Sequence, residues 1–529
     1  MTQPNETPRA TYLEARRLGF LALALALAGA VALPLLRPVL PVDETRYLTV
    51  AWEMQRDGTF VVPHLNGQIY GHKPPLLFWL INLVWSLSGV SEVAARMVAP
   101  VFGLLAVALT WRLGDRLFPD RPGLGARAAL ILATTGIFAL YGSLTMFDTM
   151  LATATLTGAL ALVWMDTSTD RRAMLLLGAA LAFGVLAKGP VILIHLLPLA
   201  LSRPGWSRAA AEPGRHGAWY LRLLGALAVA LAILSLWLVP ALWLGGAEYR
   251  AEVLWRQSAG RMVNAFDHAR PIWFFVAMLP ILLWPWAWRW PALRGLLAPG
   301  LWQDRRARFL MIWGLGTLCL FSLISGKQLH YLLPALPAAA LALAAAPPPR
   351  RGLVPAVLGF VVIAPVLVWA VLLATGRAEI DGGPVTTMGP LGIVLSAVLG
   401  FAGIALLGLA GRRAPTLGWA LIAPVTLLVV QVALRAPLVE HFDTARFAAE
   451  LTRAPAAGVV IDGYRYQGEF GFTARLSAPV DVVDPAALDA WSAAHPGGLI
   501  VSGRATPLSY PQVAVGWLAG TYVRLYRLP

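Results

Sequence analysis

The sequence predicts a polytopic α-helical membrane protein of about thirteen transmembrane helices, followed by a small C-terminal α/β domain. Two features of composition support this: 58% of the 529 residues are hydrophobic and only 13% are charged. A soluble domain carries about 25% charged residues, and a disordered chain has low hydrophobicity. The composition therefore excludes both a soluble globular protein and a disordered one.

Apolar runs between charged breaks predict thirteen spans, because about 20 apolar residues cross the hydrocarbon core. The runs lie at residues 18–40, 92–113, 126–144, 149–166, 173–187, 189–202, 222–243, 271–289, 309–325, 331–346, 353–375, 389–410 and 415–435. The first run is expected to be a signal anchor that stays in the protein. The two short runs 173–187 and 189–202 are expected to turn around Lys188.

Another apolar run, residues 74–89, is shorter and contains two tryptophans. It predicts an interfacial or re-entrant helix, because such helices place aromatic side chains at the membrane surface. A full crossing is the alternative. That alternative would move the basic loop 112–127 to the other side of the membrane.

Arginines mark one side of the predicted membrane. They precede the first span and follow the even-numbered spans: Arg9, Arg16, Arg17, Arg112, Arg116, Arg121, Arg127, Arg171, Arg172, Arg203, Arg208, Arg215, Arg305, Arg306, Arg308, Arg350, Arg351, Arg412 and Arg413. Short cytoplasmic loops carry an excess of basic residues, so the N-terminus is predicted to be cytoplasmic. The net charge of +15 is therefore read as an orientation signal, and no nucleic-acid partner is expected.

The chain is predicted to have two parts. Residues 1–436 form the transmembrane domain, whose first outer loop covers residues 41–91 and holds the interfacial helix. Residues 437–529 form an outer α/β domain, because short β-rich runs alternate there with helical or turn stretches. The single cysteine, Cys319, excludes an intrachain disulfide and a cysteine metal cluster.

Acidic residues stand out on the predicted outer face. Asp43 and Glu44 follow the first span directly, and Asp148 separates the third and fourth spans. Carboxylates at a membrane boundary are costly unless they are paired or functional. They are therefore candidate site residues. The alternative is that each caps the N-terminus of a helix.

Basic residues share that face, including all three lysines of the chain, Lys73, Lys188 and Lys327. An ammonium group is a compact cation with three donors, suited to a phosphate at headgroup depth. The fourth outer loop, residues 245–271, and the turn after the ninth span add further candidates: Arg250, Arg256, Arg261, His268, Arg270, His330 and Tyr331. Interfacial anchors or a solvated basic face are the alternatives.

Several of these motifs resemble a known family. They are residues 43–47 (DETRY), residues 64–67 (HLNG), Lys73-Pro74, Asp148, and Gly326-Lys327 with His330-Tyr331. Together they resemble the bacterial 4-amino-4-deoxy-L-arabinose lipid A transferases, and more widely the protein O-mannosyltransferase-like clan of GT-C glycosyltransferases. The resemblance implies a GT-C fold and a sugar donor carried on a polyprenyl phosphate such as undecaprenyl phosphate. It also implies transfer at the periplasmic face of the bacterial inner membrane.

The resemblance also implies roles for residues. Asp43 would be the catalytic carboxylate, with Asp148 as a second acid and Glu44 beside them. The donor phosphate would be held by basic and polar groups: Arg46, Lys73, Arg256, Arg261, Arg270, Lys327, His330 and Tyr331. We expect Asp43 to accept or orient the acceptor's proton in a single displacement with inversion, while Glu44 and Arg46 help to hold Asp43 in place.

One departure from the family concerns metal binding. In the arabinose transferases a glutamate usually precedes the lysine of the first loop, whereas here His72 stands there. His72 and His268 are the expected ligands if a zinc ion is bound, because imidazole is a good zinc ligand.

The acceptor and the class of function remain open in the sequence. The expected acceptor is lipid A or another glycan, with a protein hydroxyl as the alternative, and the protein is expected to be a monomer surrounded by membrane lipids. A flippase or transporter of lipid-linked sugars is a less favoured class, because the charged residues cluster at one face and no internal repeat is visible.

Overall fold

The computed structural model describes residues 8–207, 209, 212, 215–254, 269–296, 302–380, 389–453, 457–518 and 520–529. Within these residues, nine helical segments are long and apolar enough to cross a membrane. The helices of the membrane part are α1 (Pro8–Leu35), α2 (Asp43–Asp57), α3 (Leu76–Ser88), α4 (Glu92–Leu117), α5 (Leu124–Ala133), α6 (Gly136–Tyr141), α7 (Asp148–Thr167), α8 (Arg171–Lys188), α9 (Ile192–Leu201), α10 (Arg203–Trp206), α11 (Arg215–Leu244), α12 (Gly246–Ala251), α13 (Phe274–Leu282), α14 (Trp290–Leu296), α15 (Arg305–Leu323), α16 (Leu336–Ala344), α17 (Val354–Ala374), α18 (Pro390–Arg413) and α19 (Pro415–Ala433). The prediction of a multi-pass helical membrane protein is confirmed.

Three predicted spans are broken into shorter pieces. The run 126–144 is divided between α5 and α6, where Gly136 N donates to the carbonyl of Trp284 instead of continuing one helix. The run 271–289 consists of α13 and a 3₁₀ turn at Trp286–Trp288. The run 331–346 starts as the 3₁₀ helix Leu329–Ala335 before it becomes α16.

The chain turns between α8 and α9, as the sequence predicts. Lys188, at the end of α8, pairs with Asp148 at the start of α7. Arg203, just after α9, pairs with Asp166 near the end of α7. The segment from Lys188 to Arg203 therefore lies beside α7 and runs in the same direction as α7, antiparallel to α8.

The first outer loop forms a small platform on the membrane domain. It contains α2, a short hairpin of β1 (His64–Leu65) and β2 (Gln68–Ile69), and α3. The 13 residues of α3 rise only about 20 Å, which is less than the roughly 30 Å of the hydrocarbon core. This length fits the predicted interfacial helix, and its buried face packs into the cluster beneath α2.

The C-terminal residues form a five-stranded mixed sheet with strand order β4-β3-β5-β7-β6. The elements are α20 (Arg435–Phe442), α21 (Ala445–Thr452), β3 (Val459–Asp462), β4 (Asp481–Val483), α22 (Leu488–Ala494), β5 (Leu499–Ser502), β6 (Gln512–Leu518) and β7 (Thr521–Arg527). β3, β4 and β5 are parallel, and β7 and β6 are antiparallel. The expected boundary after residue 436 falls inside α20.

Candidate active site

Asp43 lies at the N-terminus of α2 and at the wall of a cavity of about 460 Å³. Its side chain is 50% exposed, so it can reach a ligand in the cavity. The hydroxyl of Tyr47, one helical turn further along, donates to Asp43 Oδ1 over 3.0 Å. Tyr47 is buried between aromatic rings, and burial together with Asp43 raises its pKa well above the usual value. It stays a hydrogen-bond donor that fixes the carboxylate.

Glu44 is held for structural reasons. Its carboxylate is buried, pairs with Arg37, and accepts backbone N–H groups from Leu40 (3.1 Å) and Thr145 (2.8 Å). Burial alone would raise the pKa of Glu44, but Arg37 and Arg96 outweigh it and hold the pKa below its usual value. Both oxygens are occupied, and Glu44 ties the start of α2 to the turn before α7. This geometry fits the expected role of Glu44 in holding Asp43 in place.

Arg46 lies beside Asp43 but also points toward the C-terminal domain. Its Nη1 is 3.9 Å from Asp43 Oδ1, and its Nη2 donates to Gln467 Oε1 over 2.6 Å. This geometry fits the expected role in holding Asp43 better than the expected role in binding phosphate.

A buried ion pair lies behind the cavity. Asp148, at the N-terminus of α7, is 1% exposed, and Lys188 Nζ lies 2.5 Å from its Oδ1. Lys188 also lies over the ring of Tyr331, 5.0 Å from its centre. Lys73 reaches the same end of α7, with Nζ 5.8 Å from the centre of the Phe147 ring. The structure thus brings Asp148, Lys73 and Tyr331 together and adds Lys188, which sequence reasoning noted only as an outer lysine.

The turn after α15 also lines the cavity, through Lys327 and His330, and Arg270 lines it as well. Lys327 Nζ donates to the carbonyls of Arg270 (3.0 Å) and Ile324, and burial lowers its pKa. Arg270 is exposed and its N–H donates to the carbonyl of Ser325. His330 is buried against Tyr141, with ring centres 5.1 Å apart. Lys327 therefore anchors the end of the fourth loop in addition to facing the cavity.

Of the two expected metal ligands, only His72 lies among the described residues. His72 Nε2 lies 3.7 Å from Glu252 Oε1, so an acid from the fourth loop meets the histidine of the first loop. His268, Arg256 and Arg261 lie outside the described residues. Within the described ranges, no group of three or more histidine, cysteine, aspartate or glutamate side chains could hold a metal ion. Two donors alone do not make a zinc site.

Comparison with known proteins gives relatives and a fold. Residues 72–237 match the family described as dolichyl-phosphate-mannose-protein mannosyltransferase. The undecaprenyl phosphate-α-4-amino-4-deoxy-L-arabinose arabinosyl transferase of Pseudomonas aeruginosa (strain UCBPP-PA14) is 32% identical over 307 residues, covering 56% of this chain and 53% of that protein. Arabinosyl transferase 1 of Sodalis glossinidius is 34% identical over 324 residues, covering 57% and 54%. The chain thus spans about half the length of the curated relatives it matches.

The similarity of the fold extends further than that of the sequence. The crystal structure of ArnT from Cupriavidus metallidurans in the apo state superposes with a TM-score of 0.72 at 21% identity, covering 97% of this chain and 98% of that one. The same protein bound to undecaprenyl phosphate gives a TM-score of 0.70 at 20% identity, covering 96% and 97%. The fold of this chain is therefore that of ArnT, and its resemblance to the GT-C aminoarabinose transferases, indicated by the sequence motifs, is confirmed.

Proposed function

We propose that this protein is an inverting glycosyltransferase that moves a sugar from a polyprenyl phosphate to lipid A or another glycan. The main observation in support is the position of Asp43: its partly exposed carboxylate lines the same cavity as the basic residues Arg270 and Lys327. A carboxylate and cations in one cavity suit a reaction in which a proton leaves one partner while negative charge develops on the other.

The proposed reaction is a single displacement at the anomeric carbon of the donor sugar. The acceptor, through a hydroxyl or a phosphate oxygen, attacks from the face opposite the donor phosphate, and Asp43 accepts or orients its proton. The bond between the anomeric carbon and the phosphate oxygen breaks, and the polyprenyl phosphate leaves with the bonding electrons. Lys73, Lys327 and Arg270 stabilise the departing phosphate, together with Arg256 and Arg261 of the fourth loop.

We further propose a bacterial inner-membrane protein with thirteen crossings and a cytoplasmic N-terminus. The antiparallel course of α8 and α9 supports counting residues 171–201 as two crossings. On this topology the cavity and the C-terminal α/β domain face the periplasm, where a lipid-linked donor and lipid A are accessible. The proposed oligomeric state is a monomer.

A zinc ion held by His72 and His268 is a separate proposal. Glu252 lies beside His72 and would add an oxygen ligand of the kind zinc accepts. When bound, zinc would supply fixed positive charge beside the first outer loop. No step of the proposed displacement depends on it.

The Asp43→Asn variant tests the proposed function. The asparagine side chain keeps the shape of the aspartate side chain but cannot accept the proton. The rate of sugar transfer should therefore fall by at least about 100-fold. The measurement is transfer of sugar from undecaprenyl-phosphate sugar to lipid A by the purified protein in detergent. Formation of the glycosylated product in detergent, where no membrane gradient exists, would also distinguish a transferase from a flippase.

Asp57→Asn is the matched control, because Asp57 ends the same helix and pairs with Arg56. Its activity should equal that of the unmodified protein. Full activity of Asp43→Asn would overturn the assignment of Asp43. Mass spectrometry of lipid A and surface glycans from a deletion strain and its parent would identify the acceptor.

A further inference from the structure

The C-terminal domain makes several direct contacts with α2, the helix that carries Asp43. We call residues 467–480, which lie between β3 and β4, the tail segment. Thr49, in the middle of α2, bonds to this segment twice: its hydroxyl donates to the carbonyl of Gly468 over 2.7 Å and accepts from the N–H of Phe472 over 3.0 Å. The approach is close, because a Cβ on Gly471 would lie 2.3 Å from Thr49 Cγ2.

Contacts continue along the same side of α2. Trp52 Nε1 and Arg56 Nη1 each donate to the carbonyl of Leu476 over 3.0 Å. Beyond the helix, Asn66 exchanges two hydrogen bonds with the backbone of Val480. The tail segment therefore follows α2 from its first turn to its last.

One contact reaches the catalytic end of the helix. Gln467 Oε1 accepts a hydrogen bond from Arg46 Nη2 over 2.6 Å, and the other end of that guanidinium lies 3.9 Å from Asp43 Oδ1. Gln467 is itself held, because its backbone N–H donates to Oε2 of the buried Glu469 over 2.8 Å. A continuous set of polar contacts thus runs from Glu469 to Asp43.

We propose that Gln467 is a positioning residue: it holds Arg46 beside Asp43, so the C-terminal domain sets the orientation of the carboxylate. This inference rests on the proposed function of Asp43. An arginine side chain has many rotamers, and a fixed acceptor reduces the number it samples. Small displacements of a catalytic group cost a large factor in rate while leaving substrate binding less affected.

The test compares four variants of the full-length protein in the transfer assay: Gln467→Ala, Gln467→Glu, Arg46→Ala and the double variant of Arg46→Ala with Gln467→Ala. Gln467→Ala should lower kcat by about tenfold, with the donor KM changed by no more than about twofold. Gln467→Glu keeps an acceptor oxygen in place and should restore kcat to within about threefold of the unmodified protein. In the Arg46→Ala background, adding Gln467→Ala should have no further effect, because Gln467 acts through Arg46.

Arg56→Ala is the matched control, because it removes another contact between α2 and the tail segment about 15 Å further along the helix from Arg46. It should leave kcat and KM unchanged. A similar loss of kcat in Arg56→Ala, or a further loss from Gln467→Ala in the Arg46→Ala background, would mean that the interface only holds the domains together. An unchanged kcat in Gln467→Ala would also overturn the proposal.

Hydrogen exchange separates this inference from the proposed function. The amides of residues 46–50 should exchange faster in Gln467→Ala than in the unmodified protein, whether or not the protein transfers sugar. Absence of sugar transfer by the unmodified protein would overturn the proposed function but not the contact between Gln467 and α2. Unchanged exchange at these amides in Gln467→Ala would overturn the inference that Gln467 orders the start of α2.

Discussion

At the scale of single residues, Asp148 shows how a charge is accommodated inside the membrane domain. It is fully buried at the start of α7, and Lys188, brought back by α8, supplies the opposite charge. The N-terminus of a helix also favours a carboxylate. The pair joins the turn between two spans to the start of a third, next to the aromatic ring of Tyr331.

Replacing Lys188 by methionine should destabilise the protein by about 3–5 kcal/mol, because it leaves Asp148 buried without its countercharge. Thermal unfolding in detergent would show a lower midpoint. The double variant Lys188→Met with Asp148→Asn removes both charges and should recover most of the lost stability. A double variant as unstable as the single one would show that packing of the lysine stem, and not charge, is what matters.

Some site residues could be predicted from their immediate sequence neighbours, whereas others are brought into the site only by the fold. Asp43, Asp148 and Lys73 stood out because ionisable groups are rare at a membrane boundary. Tyr47 could have been found, since it is four residues after Asp43 and so on the same helix face. Gln467 carried no signal, because its partner Arg46 is 421 residues away in sequence and only the fold brings them together.

At the scale of elements, hydropathy located the spans but not their breaks. Thr134 and Thr135 hydrogen-bond with their side chains to carbonyls one turn earlier, and Gly136 bonds across to Trp284. The N–H of Thr134 keeps its helical bond to Leu130, but the N–H of Thr135 bonds to Leu132 and that of Gly136 leaves the helix, so the regular helical bonds stop between α5 and α6. An apolar run has the same composition whether its helix is continuous or broken, so the sequence could not show where the backbone leaves the helix.

The packing of the tail segment against α2 leads to a second prediction. Gly471→Ala should separate the segment from α2 and lower transfer activity at least about tenfold, because its Cβ would lie 2.3 Å from Thr49 Cγ2. The sheet of the C-terminal domain should stay folded, as measured by protection of the β3 and β5 amides from exchange. Gly389→Ala is a suitable control, since no atom lies within 4 Å of a Cβ built there. The prediction would be contradicted if Gly471→Ala were as active as Gly389→Ala and the unmodified protein.

At the scale of the whole molecule, the outer loop, the cavity and the C-terminal domain form one continuous unit. Phe472 of the tail segment is buried in the cluster of α2 and α3, and its ring stacks on Trp85 with the centres 5.3 Å apart. The domain is therefore not a loosely attached addition to the membrane part. If the cavity is periplasmic, the C-terminal domain must be periplasmic as well, because both contact α2.

This link makes the orientation of the protein testable with two surface positions. The basic loops after even-numbered spans predict a cytoplasmic N-terminus, which places the C-terminal domain in the periplasm after thirteen crossings. In a Cys319→Ala background, Asp489→Cys, exposed on α22, should react in intact cells with a membrane-impermeant maleimide. Arg413→Cys, exposed at the end of α18, should react only after the inner membrane is disrupted. Labelling of both positions from the same side would show that residues 415–435 do not cross the membrane, and labelling of Arg413→Cys alone in intact cells would invert the proposed orientation.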